Sequence, residues 1–185
     1  MNPENRKYLG SGTIKIRAWE SKDAADLSYI GNNPKISFNM TDGFPAPYTL
    51  EKAQEFIEKV NQQERNLFYA IEYKEKLSGS ISAVFFEDVY RKNVSIAYFI
   101  GEPYWNKGIA SSSIKILCEY LFKNYEIERI FAEPFERNTA SHKALIKAGF
   151  FKEATLKKNV YKNGELIDSC IFACLKESHV KRYVF

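Results

Sequence analysis

The sequence predicts a single mixed α/β domain, with a largely antiparallel sheet and helices on both of its faces. Three observations carry that expectation. Helical patterns are interspersed with β-rich runs in the order β α α β β β α β α β β. Asn163-Gly164 separates two long β-rich runs, the strongest short hairpin signal in the chain. Ser95 to Ser111, SIAYFIGEPYWNKGIAS, passes from a buried-strand pattern through a Gly/Pro break into a helix, and Asn138 to Phe150, NTASHKALIKAGF, holds a second helix start that closes at Gly149 before a strand.

The chain has 185 residues, enough for one domain with a real core, which is expected to occupy about residues 13–176 of a unit spanning 1–185. With 45% hydrophobic and 27% charged residues it reads as globular, and no apolar run approaches the length of a membrane span. The start, MNPENRKYLG, lacks the apolar stretch of a signal peptide, so a cytoplasmic location is expected. A net charge of +4 suits an anionic ligand without requiring nucleic acid. Cys118, Cys170 and Cys174 lack metal spacing and read as reduced, buried thiols. His142 and His179 have no carboxylate or thiol at ligand spacing, so no metal site is expected.

In order, Thr13 to Trp19 alternates as a half-exposed strand, and Ser21 or Asp23 caps a helix from about Lys22 to Gly31. The segment NNPKISFNMTDGFPAPYTL reads as a long loop whose exposed Phe38, Phe44 and Tyr48 shape a pocket. Thr49 caps a helix to about Arg65 that buries Ala53, Phe56, Ile57 and Val60. Leu67–Tyr73 and Leu77–Phe86 form a hairpin around Lys74-Glu75-Lys76, and Glu87 to Lys92 turns into the strand holding Ser95–Ile100. The helix from Gly108 to Lys123 places Ile109, Ile116, Leu117, Tyr120 and Leu121 on one face. Arg129–Ala132 is a short strand ended by Pro134, and Phe151–Tyr161 and Glu165–Leu175 flank the final turn. Residues 177–185 carry no assignment.

The first turn at Gly108 to Ser111 combines a glycine, small residues, unpaired N–H groups and the positive end of a helix dipole, with Lys107 at its rim. That is a cradle for a pyrophosphate, although an ordinary packed αβ unit has the same outline. The pairing of Y-W-x-K-G-I-A-S with N-x-x-S-x-K-x-L-x-K-x-G-F resembles the GNAT superfamily of N-acetyltransferases, and more narrowly the branch of the ribosomal-protein N-terminal acetyltransferases. The resemblance runs from about Ile14 to Leu175. It implies a sheet splayed at the cofactor strand, acetyl-CoA as cofactor with CoA as product, and an amine acceptor. It places the pyrophosphate against Lys107, Gly108, Ile109, Ala110 and Ser111, beside Trp105 and Asn106, and the pantetheine arm along the backbone of Phe99 and Ile100, with the splay after Ile100. Asn138 is a helix cap that in the family also reaches the pantetheine, and Lys143 is either solvated or at the nucleotide end. Ser141 either bonds back to its helix or protonates the departing thiolate, with Tyr98 as the next donor.

A direct carboxylate base is missing where relatives carry one: Ser95 and Val160 stand in those positions. Glu102, Glu133 and Asp168 remain, together with Tyr98 acting through a water. Glu102 reads as solvated, Glu133 as a group that could face the cleft, and Asp168 as sharing a buried face with Cys170, Phe172 and Cys174. The acceptor side is assigned to Phe38, Phe44, Tyr48 and Glu133. The expected function is acetyl transfer from acetyl-CoA to the primary amine of a protein amino terminus or a small molecule, by direct attack, in a monomer or homodimer without nucleic acid or membrane partners. A non-catalytic acyl-CoA-binding module is the alternative.

Overall fold

The computed structural model describes residues 8–10 and 12–180, so the sequence assignments for 1–7, 11 and 181–185 lie outside the described residues. Its strands are β1 (Tyr8–Leu9), β2 (Ile14–Arg17), β3 (Leu67–Tyr73), β4 (Lys76–Phe85), β5 (Asn93–Ile100), β6 (Arg129–Ala132), β7 (Phe151–Lys162) and β8 (Glu165–Leu175). Its helices are α1 (Ala24–Gly31), α2 (Pro34–Ser37), α3 (Leu50–Asn61), α4 (Ile109–Asn124), α5 (Thr139–Ala148) and α6 (Lys176–Val180). The strands form one sheet in the order β1-β2-β3-β4-β5-β6-β8-β7. Every neighbouring pair is antiparallel except β5 and β6.

The two faces of the sheet carry separate cores. On one, Val94, Ile96 and Ile100 of β5 join Ile114, Leu117 and Leu121 of α4, Leu145 of α5 and Phe172 of β8. On the other, Phe99 of β5 joins Leu27 and Ile30 of α1, Ala53 and Ile57 of α3, and Trp19. β5 thus feeds both cores with alternate side chains, as its period of two requires.

Several boundaries depart from the sequence reading. α2 interrupts the long loop, because Pro34 starts a turn whose Lys35 N–H is capped by the Asn33 side chain at 2.9 Å. α3 stops at Asn61 short of Arg65: the next core-facing position after Val60 would be Glu64, and Arg65 instead donates to the Phe86 carbonyl at 2.7 Å. The buried face of α4 is centred on Ile114, Leu117, Cys118 and Leu121, with Ile116 and Tyr120 half-buried against the same core. The small Ser111 and Ser113 also lie against the sheet, and Ile116 covers Gly10 beside β1, a strand that the composition of the chain start did not suggest.

Arg17 and Asp23 fasten β2 to the start of α1. The buried guanidinium makes two bonds to Asp23, at 2.7 and 2.9 Å, and a third to Glu72 of β3 at 2.9 Å. Burial alone would raise the Asp23 carboxyl, but the Arg17 hydrogen bonds, the Glu20 N–H and the Arg17 charge outweigh it and hold the group below its ordinary value. A lowered native pKa means that this stabilisation is present at neutral pH and is lost as pH falls through the native value. Asp23→Ala leaves a buried cation short of its main partner and is expected to cost about 3–5 kcal/mol in urea unfolding at neutral pH. The difference from wild type should shrink as acid protonates the wild-type carboxyl. A wild-type-like midpoint in the variant would show that Glu72 alone satisfies Arg17.

Candidate active site

β5 and β6 are paired from Asn93↔Arg129 to Ser95↔Phe131 and then part. Each stays bonded to its outer neighbour: β5 follows β4 to Gly79↔Ile100, and β6 follows β8 to Ala132↔Phe172. The separation therefore begins after Ser95, not after Ile100 as the sequence reading had it. The Gly101 N–H bonds back to Ser78 at 2.8 Å, and the Ala97 carbonyl accepts from Ser82 Oγ at 3.4 Å, so odd-numbered peptide groups of β5 face β4. By alternation Tyr98 and Ile100 face the gap, while the Phe99 backbone faces β4. The expectation that the Phe99 backbone lines the gap is corrected for that reason: the Tyr98 backbone does. The Ile100 carbonyl is already taken by Trp105 Nε1 at 2.6 Å, which fixes the indole at the rim of the gap.

The gap opens onto the start of α4. Asn106 and Gly108 both have positive φ, 59° and 74°, and turn the chain sharply into the helix. The first intrahelical acceptor is the Gly108 carbonyl, which receives the Ser112 N–H at 3.1 Å, so the N–H groups of Ile109, Ala110 and Ser111 lack intrahelical acceptors. The Ser111 hydroxyl bonds back to the Gly108 carbonyl at 3.0 Å and leaves only its N–H for a ligand. Lys107, expected at the rim, has its ammonium on the Pro103 carbonyl at 2.8 Å and over the Tyr104 ring. The cation beside the turn is Lys147, whose Nζ is 4.0 Å from where a β-carbon on Gly108 would stand. Lys143, exposed, lies one turn earlier on the same face of α5.

Tyr98 and Ser141, candidates from different elements, come together. The phenol oxygen is 2.8 Å from Ser141 Oγ and 3.3 Å from the Ser141 carbonyl. Asn138 caps α5 by accepting the Ser141 N–H at 3.2 Å, which holds Ser141 against the sheet. Burial pushes the Tyr98 phenol up to about 12, against the lowering effect of the Ser141 hydrogen bond, so it is a neutral donor at physiological pH. His142 is half-buried: its ring packs on Phe172, and Nε2 is 3.2 Å from the Phe135 carbonyl.

On the opposite face, the segment between α1 and α3 forms a wall. Phe38 is exposed, but Tyr48 is only 3% exposed, against the expectation. Its ring fills the space beside Gly31, and its edge contact with Phe44 leads on to Phe99, so Tyr48 belongs to the core and Phe44 to the boundary. Two links missed in the sequence tie this wall across the molecule. Arg137 stacks on the Phe38 ring at 3.6 Å and donates to its carbonyl at 2.6 Å, and Lys162 of β7 bonds Asp42 at 2.6 Å. Neither is visible in local patterns, because the partners lie far apart in the chain.

Of the remaining carboxylates, Glu102 is not simply solvated: it pairs with Lys35 and accepts from Asn33 at 2.7 Å, which lowers its pKa. Asp168 does not join the buried face of Cys170 and Phe172. A bulge in β7 brings Lys157 Nζ to 2.7 Å and the Lys158 N–H to 2.9 Å, and these bonds keep the carboxyl low and charged. Glu133 is exposed and accepts hydrogen bonds from Asn159 and Ser169 at 2.6 and 2.7 Å. Among the described residues no cluster of His, Cys, Asp and Glu is arranged to hold a metal ion.

The chain matches the acetyltransferase (GNAT) domain family over residues 13–151. It is 28% identical over 176 residues to the probable N-acetyltransferase YjcK of Bacillus subtilis (strain 168), spanning 90% of this chain and 96% of that protein. The uncharacterized N-acetyltransferase p20 of Bacillus licheniformis is 27% identical over 176 residues, 90% of this chain and 94% of its own length. Among solved structures, the microcin C7 self-immunity acetyltransferase MccE, in complex with acetyl-CoA and AMP, is 27% identical with a TM-score of 0.77, covering 89% of this chain and 93% of that one. The ribosomal L7/L12 α-N-protein acetyltransferase RimL, in complex with CoA, shares the fold at 20% identity with a TM-score of 0.81, covering 91% and 98%. The match to the family over residues 13–151, most of its length, makes this chain a member of the GNAT acetyltransferase family.

Proposed function

We propose that the chain moves the acetyl group of acetyl-CoA to the amino group of a peptide-like acceptor, the cofactor lying between β5 and β6 and the amine arriving over the α1–α3 face. The observation that carries this reading is the meeting, at one gap, of cleft-facing peptide groups, a helix start with free N–H groups and a pair of hydroxyls. The site fits the cofactor. Gly108 offers no side chain to obstruct the turn, the N–H groups of Ile109, Ala110 and Ser111 suit a pyrophosphate, and Lys147 and Lys143 supply charge at the nucleotide end. Bound there, acetyl-CoA supplies a thioester carbonyl open to a neutral amine and a sulfur that leaves as thiolate.

The residues then divide the work by face. The Tyr98 and Ile100 peptide groups hold the arm in the gap and can donate to a developing oxyanion. The Tyr98–Ser141 pair delivers a proton to the sulfur: either hydroxyl can donate to the other, so one O–H stays available. Trp105 and Asn106 shape the rim. On the acceptor face Phe38 and Phe44 form one wall, while Val84 and Ala97 leave the sheet open beside the gap. Val84 pairs with Ser95, and Ser82 with Ala97, so these side chains share that face and form a strip wide enough for an extended chain.

Two tests follow from this division. Gly108→Val should weaken CoA binding at least tenfold in calorimetry, and Lys147→Met by about tenfold with a reduced dependence on salt. Gly164→Val carries a similar positive-φ strain at the β7–β8 turn, where φ is 84°, and should bind CoA like wild type. Equal losses in both glycine variants would mean that backbone strain, and not the cradle, is being measured. For the proton donors, Tyr98→Phe and Ser141→Ala should each lower kcat by roughly 10²-fold toward an alanyl peptide, with the KM for acetyl-CoA nearly unchanged. The double variant should be little worse than the poorer single one, because the two hydroxyls act as one unit. Additive losses would separate them, and unchanged CoA binding with no transfer even in wild type would favour the non-catalytic module.

A further inference from the structure

We infer that the acceptor is a peptide with an apolar side chain at its third residue, which rests on a patch made by Val84, Phe86 and Phe131 beside the gap. This rests on the transferase reading above and names the acceptor class that its open face would select.

The last paired position between β5 and β6 belongs to a longer row. Val84↔Ser95 continues through Ser95↔Phe131 and Phe131↔Ala173 to Ala173↔Phe151, so one line of register crosses β4, β5, β6, β8 and β7. Residues opposite one another in a sheet project to the same side. That side is the one carrying Phe99, since Ser95, Ala97 and Phe99 alternate together along β5. Yet Val84, Phe86, Phe131 and Phe151 belong to neither core. Val84 and Phe86 are each 37% exposed and Phe151 is 44% exposed. The Phe86 N–H bonds to the Asn93 carbonyl at 3.2 Å, and its ring leans onto Phe131 with centroids 5.5 Å apart. An apolar patch of this kind, on central strands that no core covers, marks a surface where a partner is bound.

What adjoins the patch identifies the occupant. Neighbouring strands lie about 4.8 Å apart, so Val84 and Phe131 stand roughly 10 Å apart across the small Ser95, a hollow for one aliphatic side chain. The hollow is continuous with the mouth of the gap: exposed Ala97 lies two residues further along β5. Beyond Ala97, Phe44 closes the floor by packing on Phe99 with centroids 5.3 Å apart. An amine over Ala97 is therefore blocked on the side of Phe44 and open toward Val84 and Phe131. An extended peptide rises about 3.3 Å per residue, as a strand does, and turns alternate side chains to the sheet. With its first residue over Ala97, its third stands about 7 Å along, over Ser95. Charge favours a neutral side chain there. Arg65 donates to the Phe86 carbonyl at 2.7 Å and pairs with Glu87, and Arg129, over the Phe131 ring, pairs with Glu153 at 2.6 Å. Both cations that adjoin the patch are already paired, so an acidic third residue gains no new partner and an apolar one gains burial.

The test uses the full chain and three acceptors: alanine amide, and two alanyl peptides that differ only in leucine or serine as the third residue. The leucine peptide should have a KM about tenfold below that of the serine peptide with similar kcat, because the contact is made equally in the ground and transition states. Phe86→Ser should bring the two KM values within about twofold of each other, with CoA affinity and melting temperature unchanged. Val84→Ser, on the β4 side of the hollow, should narrow the difference as well. Equal KM values in wild type, or a preference that both variants keep, overturns the subsite, while acetylation of alanine amide leaves the transferase reading standing. A wild-type chain that sediments as a dimer and turns monomeric in Phe86→Ser, with both peptides handled alike, gives the patch to a second copy and overturns the inference. A wild-type chain that binds acetyl-CoA and acetylates none of the three acceptors removes the transferase reading and the subsite together.

Discussion

Between β5 and β6 the parallel pairing stops after Ser95↔Phe131 because each strand is held more strongly on its other side. β5 has a continuous antiparallel border with β4 from Phe85↔Val94 to Gly79↔Ile100. β6 has β8, and the bond from the Cys170 N–H to the Pro134 carbonyl at 2.9 Å keeps the chain on that side beyond the end of the strand. Backbone polar groups must be satisfied by something, and in the gap the Tyr98 and Ile100 peptides lack their strand neighbour. One of those groups is met by Trp105, which is why an indole stands where the strand ends.

Both sides of the gap are packed from above and below. α4 seals the β5 half from below with Ile114, Leu117 and Leu121, and α5 presses Leu145 and Ala148 into the same core. Phe99 anchors the upper face to α1 and α3. The Tyr98–Ser141 hydrogen bond crosses from β5 to α5 and joins the two halves at the point where the sheet does not. It stands where the strand pairing is missing, two hydroxyls in place of a ladder bond.

The face that carries Phe38 is closed by contacts of another kind. Arg137, one residue before the α5 cap, stacks on Phe38, and Lys162 near the far hairpin reaches Asp42. Arg137 ties the Phe38 segment to the turn that positions Ser141, so the two sides of the gap share a support. A stacked guanidinium also keeps Phe38 in place although much of its ring is exposed.

Much of this was legible in the chain because it is local. The strand-turn-helix at Ser95 to Ser111, the Asn138 cap, the Asn163-Gly164 turn and the Thr49 cap each depend on a few neighbouring residues whose backbone preferences agree. What the tertiary structure decided is long-range. Alternation along β5 reads the same from either side, so only the pairing with β4 shows that Tyr98 and Ile100, not Phe99, open their peptide groups to the gap. The exposure of an aromatic in a loop depends on what folds over it, and Gly31 makes the room that buries Tyr48. The charges were least readable: Lys147 beside Gly108, Lys162 on Asp42 and Asp168 under Lys157 are set by three-dimensional distance, which no spacing in the sequence encodes.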